Sequence, residues 1–451
     1  AGSDWSNGSD SHTSGGGMNE GEAAWLPLRG VRVLDFTWMI AGPLGTRLLA
    51  NFGAEVIKIE SYNRVDRVRE TGPHPDGTWS VNEDGSFNDV NLGKQSILLN
   101  LGYPEGQAIA RRLAAVSDVT AANFTGDRLD RWSLGYDDLV RVQPNLIVLN
   151  MPVFESTGPR RRWGAIGSHI NALAGINAIS GFAPDPPFGL GPLYPDFSGN
   201  PFHLTAAILS ALIDRDRGAG AQWIEVSQYE STAGVLGPAL LQQAVTGVGP
   251  RRAGNRSDRA CPHNVYPCAG TTWPAPSANS EARAPGSGPL PSPTADEDRW
   301  CAIEVAAEAE WAALCGVLGH EEWRSDPRFA TDAARRANED ALDALIAEET
   351  RRRQVEDLAA GLQAAGVAAA PVNRLDHLLA DPWYRTEYFS ELPGPEGCIF
   401  TVHGEPIRPF DRKQPVSRAP LLGEHTENVL ESLLGLTRAE IDQLYAAGVL
   451  G

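Results

Sequence analysis

The chain has 451 residues, 42% hydrophobic and 21% charged, the make-up of a globular protein long enough for two or three domains. Its formal net charge of −19 offers no general basic face for nucleic acid or an anionic membrane, although a local basic patch for an anionic ligand stays open. Five cysteines at irregular spacing make no disulfide framework and fit a reducing, cytoplasmic setting, and no apolar run is as long as a membrane span.

Residues 1–25 lack the basic start and apolar core of a signal peptide and read as a disordered Gly/Ser-rich tail or an expression scar ahead of Met18. VRVLDF (31–36) then reads as a buried strand, AGPLGTRLLANFGA as a helix entered through small residues, and EVIKIE (55–60) as the next strand. This βαβ unit repeats through SILLNL, a helix over PEGQAIARRLAAVS, DVTAANF, a helix near YDDLVRVQP, and LIVLNM. Strands alternating with helices predict an α/β fold with a doubly wound parallel sheet and ligands at the strands' carboxyl ends. A helix near 198–214, a strand WIEVS and a long apolar helix near 228–246 follow. Residues 270–298, rich in Pro, Ala, Ser and Gly, read as a long surface loop. A smaller α/β segment comes next, with strand WCAIEV, a helix over AEAEWAALCGVLG, a split helix through EETRRRQ, and VAAAPV; strand CIFTV and two helices within 422–449 close the chain.

Local chemistry is less decided. IAGPLG (40–45) sits where a nucleotide loop would, but it is neither GxGxxG nor a P-loop, which argues against a nicotinamide dehydrogenase and favours a tight strand-to-helix turn. CPHNVYPC (261–268) matches no zinc spacing, so buried thiols or loop residues are expected and no metal. Ser168 and His169 adjoin, with Asp196 downstream, but no GxSxG elbow surrounds Ser168, which reads as a helix cap. Asp196, in GPLYPDFSGN just before an apolar helix, also reads as a cap. The same helix start favours its ionised form through free N–H groups and the helix dipole, and an ionised, positioned carboxylate suits covalent acyl transfer.

From about residue 26 onward the chain resembles the class III CoA-transferases, the family of formyl-CoA transferase, carnitine CoA-transferase and α-methylacyl-CoA racemase. The resemblance is carried by LRGVRVLDFTWMIAGPLGTRLLANFGAEVIKIE, NLGKQSILLNL, ANFTGDRLDRWSLGYDDLVRVQPNLIVLNM, STGP, YPDFSG, AAILSALIDRDRGAGAQWIEVSQYE and APLLGEHTENVLESLLGL. It implies that Asp196 is the nucleophile, passing through an aspartyl anhydride and an aspartyl-CoA thioester while CoA moves from an acyl-CoA to a carboxylic acid. Coenzyme A would be held by Met39, Ile40 and Ala41 at the strand-to-helix turn, by Lys94, and by Asn123, Phe124 and Arg131. Some transferases carry a polar residue where Ile40 stands. The racemases use a histidine base in a block that aligns with AIGSHIN; Ser168 holds that place here with His169 next to it, a departure that favours transfer over racemisation. An acyl-CoA racemase and a non-catalytic acyl-CoA binder remain the alternatives. A glycine-rich loop over the aspartate has a possible counterpart in GSG (286–288). The resemblance also implies an interlocked homodimer. Each subunit would have a Rossmann-like large domain from 26–225 and 371–451, and a smaller α/β domain over 226–370.

Overall fold

The computed structural model describes residues 25–74, 77, 79–190, 194–271, 299–394, 397–409 and 413–451; the tail before Trp25, most of the expected 270–298 loop and its GSG lie outside the described residues. Six parallel strands form the main sheet: β1 Arg32–Asp35, β2 Glu55–Glu60, β3 Gln95–Leu98, β4 Val119–Ala122, β5 Ile147–Asn150 and β6 Gln222–Glu225. Their order is β3-β2-β1-β4-β5-β6, the doubly wound Rossmann order. Consecutive residues of each strand point to opposite faces, and both faces are covered, so β4 and β5 are buried at every position and β1 at every position but Arg32. On one face Leu34, Ile57, Ile97 and Val148 meet the helix Pro104–Ala115 and the C-terminal helices Thr426–Leu434 and Arg438–Ala446. On the other, Val33, Val56, Val119 and Ile147 meet helix α1, Ala41–Asn51, and the helix Gly199–Asp216.

The small residues of IAGPLG are explained by how closely these elements approach. A side-chain carbon at Gly45 would stand 2.9 Å from Leu204 Cδ2 and 3.0 Å from the Pro201 carbonyl, so α1 can lie against the helix Gly199–Asp216 only without one. The apolar stretch expected as one helix over 228–246 is two, Gln228–Gly234 and Gly237–Thr246. Pro238 has no N–H, and its ring would clash with the Gly234 carbonyl of a continuous helix, so the first helix stops there.

A second sheet, antiparallel, joins β7 His263–Pro267, β8 Trp300–Glu304 and β9 Ala368–Pro371. CPHNVYPC is therefore largely a strand rather than a loop. Cys261, Cys268, Cys301 and Cys315 are free thiols in the core behind it, and burial pushes each of them up, to between about 11 and about 12. A hairpin, β10 Phe389–Pro393 with β11 Ile399–His403, is tied to α1 by the buried Arg47, which donates to the His403 carbonyl at 2.7 Å. No helix among the described residues is long and apolar enough to cross a membrane.

Candidate active site

The strand order reverses at β1, with β2 on one side and β4 on the other, and a cleft of about 520 Å³ opens beyond their carboxyl ends. One wall is the β1–α1 turn, Trp38 to Ala41; the others come from Glu60 at the end of β2 with Ser61 and Arg64 after it, and from Asn123, Phe124 and Arg128 after β4. Val153, Ile166, Gln228 and Asp196 complete the lining.

Asp196 lies in a one-turn helix, Tyr194–Phe197, that precedes the longer Gly199–Asp216 helix, and it is 8% exposed. It is not the cap of the longer helix: Ser198 holds that position and no side chain caps there. The expectation that a helix start would favour its ionised form is also overturned. Burial pushes its carboxyl up to about 7, against one opposing hydrogen bond from the Gly167 N–H. A single turn has too few aligned peptides to offset that desolvation.

The cleft's other carboxylate is committed elsewhere. Glu60 accepts from Arg69 at 2.9 and 2.8 Å and from Ser96 Oγ at 2.6 Å, so both of its oxygens are occupied. The Arg69 and Lys58 charges and these hydrogen bonds hold it below the usual carboxylate range against the effect of burial.

The residues expected to hold coenzyme A divide into two groups. Met39, Ile40, Ala41, Asn123 and Phe124 all line the cleft. Asn123 also braces it, accepting from the Trp38 N–H at 2.9 Å and donating to the Trp38 carbonyl at 2.8 Å. Lys94 is elsewhere: it lies buried beneath α1, where its ammonium donates to Asp35 at 3.0 Å, the Pro43 carbonyl at 2.9 Å and Asn91 at 2.9 Å. All three of its donors are used, so it has none left for a phosphate. Arg131 is also out of the cleft, 61% exposed and paired at 2.8 Å with Asp127, one helical turn earlier. Arg128 lines the cleft instead.

Arg128 and Arg64 had no counterpart in the sequence reading. Three rings, Trp38, Phe124 and Trp132, follow one another at centroid spacings of 6.1 and 5.6 Å. A guanidinium sits over each end of the row, Arg64 at 5.4 Å from Trp38 and Arg128 at 5.6 Å from Trp132. The only signal for Arg128 was its spacing of four from Trp132, which puts both on one side of a turn. Ser168 and His169 do not line the cleft. Ile166, not Ser168, precedes the helix Gly167–Ala174 as its cap, and His169 is exposed, with Nδ1 3.4 Å from the Ile166 nitrogen. Among the described residues no cluster of metal-ligating side chains is present.

The fold and cleft thus define an α/β protein with a switch-point site that sets a buried acid against an aromatic, arginine-flanked groove. The sequence model of CoA-transferase family III matches residues 28–286 and 274–426, and the chain belongs to that family. It is an enzyme of the class III CoA-transferases. Succinyl-CoA–D-citramalate CoA-transferase of Chloroflexus aurantiacus is 30% identical over 94% of this chain and 98% of its own length. Succinate–glutarate CoA-transferase of Agrobacterium fabrum is 28% identical over 91% and 97%. The crystal structure of a CAIB/BAIF family protein from Brucella suis superposes with a TM-score of 0.77 at 29% identity, covering 90% of this chain and 99% of that one.

Proposed function

We propose that the protein moves CoA from an acyl-CoA to a small carboxylic acid, with Asp196 as covalent nucleophile. An Asp196 oxygen adds to the thioester carbonyl carbon, the C–S bond breaks and the CoA thiolate leaves with its electron pair, so that a mixed anhydride forms on Asp196. The thiolate then adds to the aspartyl carbonyl, and the donor acid departs as its carboxylate. The acceptor carboxylate attacks this aspartyl thioester and expels the thiolate, which takes the acyl group from the second anhydride and frees Asp196. Each step exchanges one activated acyl bond for another, so no nucleotide is consumed.

The observation that carries this reading is the buried carboxylate of Asp196, without a charged partner, in the lining of a cleft whose other carboxylate is locked by Arg69. A carboxyl pushed up to about 7 is a better nucleophile once ionised than an ordinary aspartate, and it still ionises near neutral pH. The ring row and its two arginines suit the adenine, pantetheine and phosphates of CoA; Arg128 and Arg64 take the phosphate role that Lys94 and Arg131 were expected to fill. Racemisation needs a proton acceptor and a donor on opposite sides of the α-carbon, and His169 is exposed outside the cleft. We assign the substrates to short carboxylic acids because the relatives above are named for succinate, glutarate and citramalate.

A second copy of the chain is the proposed partner. The helix Gly237–Thr246 buries no residue, and Leu240, Leu241 and Val245 are exposed along it. A reducing compartment such as the cytoplasm is proposed from the free thiols.

The test is incubation with a panel of acyl-CoAs, succinyl-CoA included, and of carboxylic acids. CoA exchange is followed by chromatography, and covalent intermediates are trapped with hydroxylamine and mapped by mass spectrometry. Exchange with a label on Asp196 is expected. Tight CoA binding without exchange, or exchange undiminished in Asp196→Asn, overturns the reading.

A further inference from the structure

Side chains hold five of the eight backbone polar groups of the turn Thr37–Ile40, between β1 and α1, and four of the five bonds come from residues distant in sequence. Asp35 accepts the Thr37 N–H at 2.8 Å, and Lys58 Nζ donates to the Thr37 carbonyl at 2.6 Å. Asn123 takes both polar groups of Trp38, and Asp66 Oδ1 accepts the Met39 N–H at 3.0 Å. Lys58 and Asp66 are themselves an ion pair at 3.1 Å, with neither side chain exposed. Asp66, Asp35 and Glu60 hold the Lys58 ammonium above the usual lysine range although burial opposes its charge.

Met39 has φ +66°, in the left-handed region. A non-glycine residue there is strained by roughly 1–3 kcal/mol and persists only where its surroundings impose it. The strained residue lies in the cleft wall that shares the site with Asp196. An ion pair with no solvent contact is an unusual means of holding a loop, since two buried apolar side chains would cost less desolvation.

We propose that the buried Lys58–Asp66 pair is a positioning device for acyl transfer: it imposes the left-handed turn at Met39 and thereby fixes the wall, Trp38 to Ala41, against which the thioester lies when Asp196 attacks. Neither residue touches substrate. This inference rests on the transferase reading above. If Asp66 no longer holds Met39, the turn relaxes toward right-handed backbone and the wall shifts. A displacement of about 1 Å between reacting groups lowers a rate by up to about 100-fold with little change in binding.

The experiment is a cycle of wild type, Asp66→Asn, Met39→Gly and the double variant, each assayed for exchange kinetics and thermal stability. Glycine adopts the left-handed conformation without strain, so the brace no longer has a strained residue to hold. Asp66→Asn is expected to lower kcat about 10- to 100-fold, with KM for the acyl-CoA within about threefold. In the Met39→Gly background the same change should lower kcat less than about threefold, because the two directly bonded residues are coupled. Should Asp66→Asn not fold, Lys58→Met with Asp66→Leu removes both charges and carries the same cycle. An equal kcat loss in both backgrounds, or no loss, overturns the positioning role. Inactive wild type instead overturns the transferase reading, and the brace with it.

Discussion

Asp196 combines two properties that oppose each other. Its burial makes the ionised form costly in the folded protein, and the ionised form is the one that attacks. Activity is therefore expected to rise with pH and level off above about 7, as the fraction of Asp196 carboxylate rises. The stability consequence has the opposite sign. A folded-state value above the unfolded 3.8 means that the native state binds the proton more tightly, so this group's contribution is fully present below 3.8 and lost as pH rises through about 7. Asp196→Asn should abolish exchange yet raise the melting temperature at pH 8, the gain shrinking toward pH 5; calorimetry at the two pH values checks this. Arg128 and Arg131 give a second contrast at this scale. Arg128→Ala should raise KM for acyl-CoA about tenfold, as loss of a charge-assisted phosphate contact does. Arg131→Ala, which removes only an exposed pair with Asp127, should change KM less than about twofold in the same steady-state assay.

At the scale of elements, the β1–α1 connection joins the sheet to the site. Gly42 lies in the first turn of α1, and a side-chain carbon there would come within 2.6 Å of Thr37 Cβ and 3.0 Å of Asn123 Nδ2. Gly42→Ala is thus expected to push Asn123 off Trp38, cost about 1–3 kcal/mol of stability and lower activity, checked by urea unfolding and exchange kinetics. Lys94 belongs to the same element-level design. It ties β3 to the underside of α1 through Asp35 and the Pro43 carbonyl, and burial lowers it to about 8 although the Asp35 charge opposes that. Lys94→Met should accordingly be a stability variant, leaving Asp35 buried without its cation, rather than a CoA-affinity variant; unfolding and CoA titration distinguish the two outcomes.

At the scale of the whole molecule, the helices Gly199–Asp216 and Gly237–Thr246 leave Phe202, Leu209, Ile213, Leu240, Leu241 and Val245 exposed. Apolar surface of this extent is what the proposed second copy of the chain would cover. Light scattering should give about twice the 48.4 kDa of one chain, and Leu241→Asp should shift the population toward the single-chain mass. The four buried cysteines of the core behind the second sheet, with thiols held at about 11 to about 12, should stay unreactive toward thiol reagents until that layer unfolds.

The sheet was legible in the sequence. Apolar runs of four to six residues separated by helix-length segments state a parallel α/β fold; four of the six main strands fall within the stretches the pattern marked, and β3 and β6 begin one residue before theirs. The second sheet was read in part: β8 was expected, but β9 lay in VAAAPV, which was not marked as a strand, and β7 was hidden in a cysteine-bounded stretch that looked like a loop. Asp196 stood out as a residue, through its resemblance and its place before a helix. Its protonation did not, because desolvation depends on what packs around a carboxyl rather than on its neighbours in the chain. The same limit governed the basic residues. A lysine or arginine in a motif looks the same whether it faces a ligand or an aspartate, and only the folded positions of Asp35, Asp127, Trp38 and Trp132 put Lys94 and Arg131 outside the cleft lining and Arg64 and Arg128 in it. Chain order determines periodicity, and with it fold; charge partners are set by contacts between residues far apart in the chain, 59 positions for Lys94 and Asp35, which no local pattern encodes.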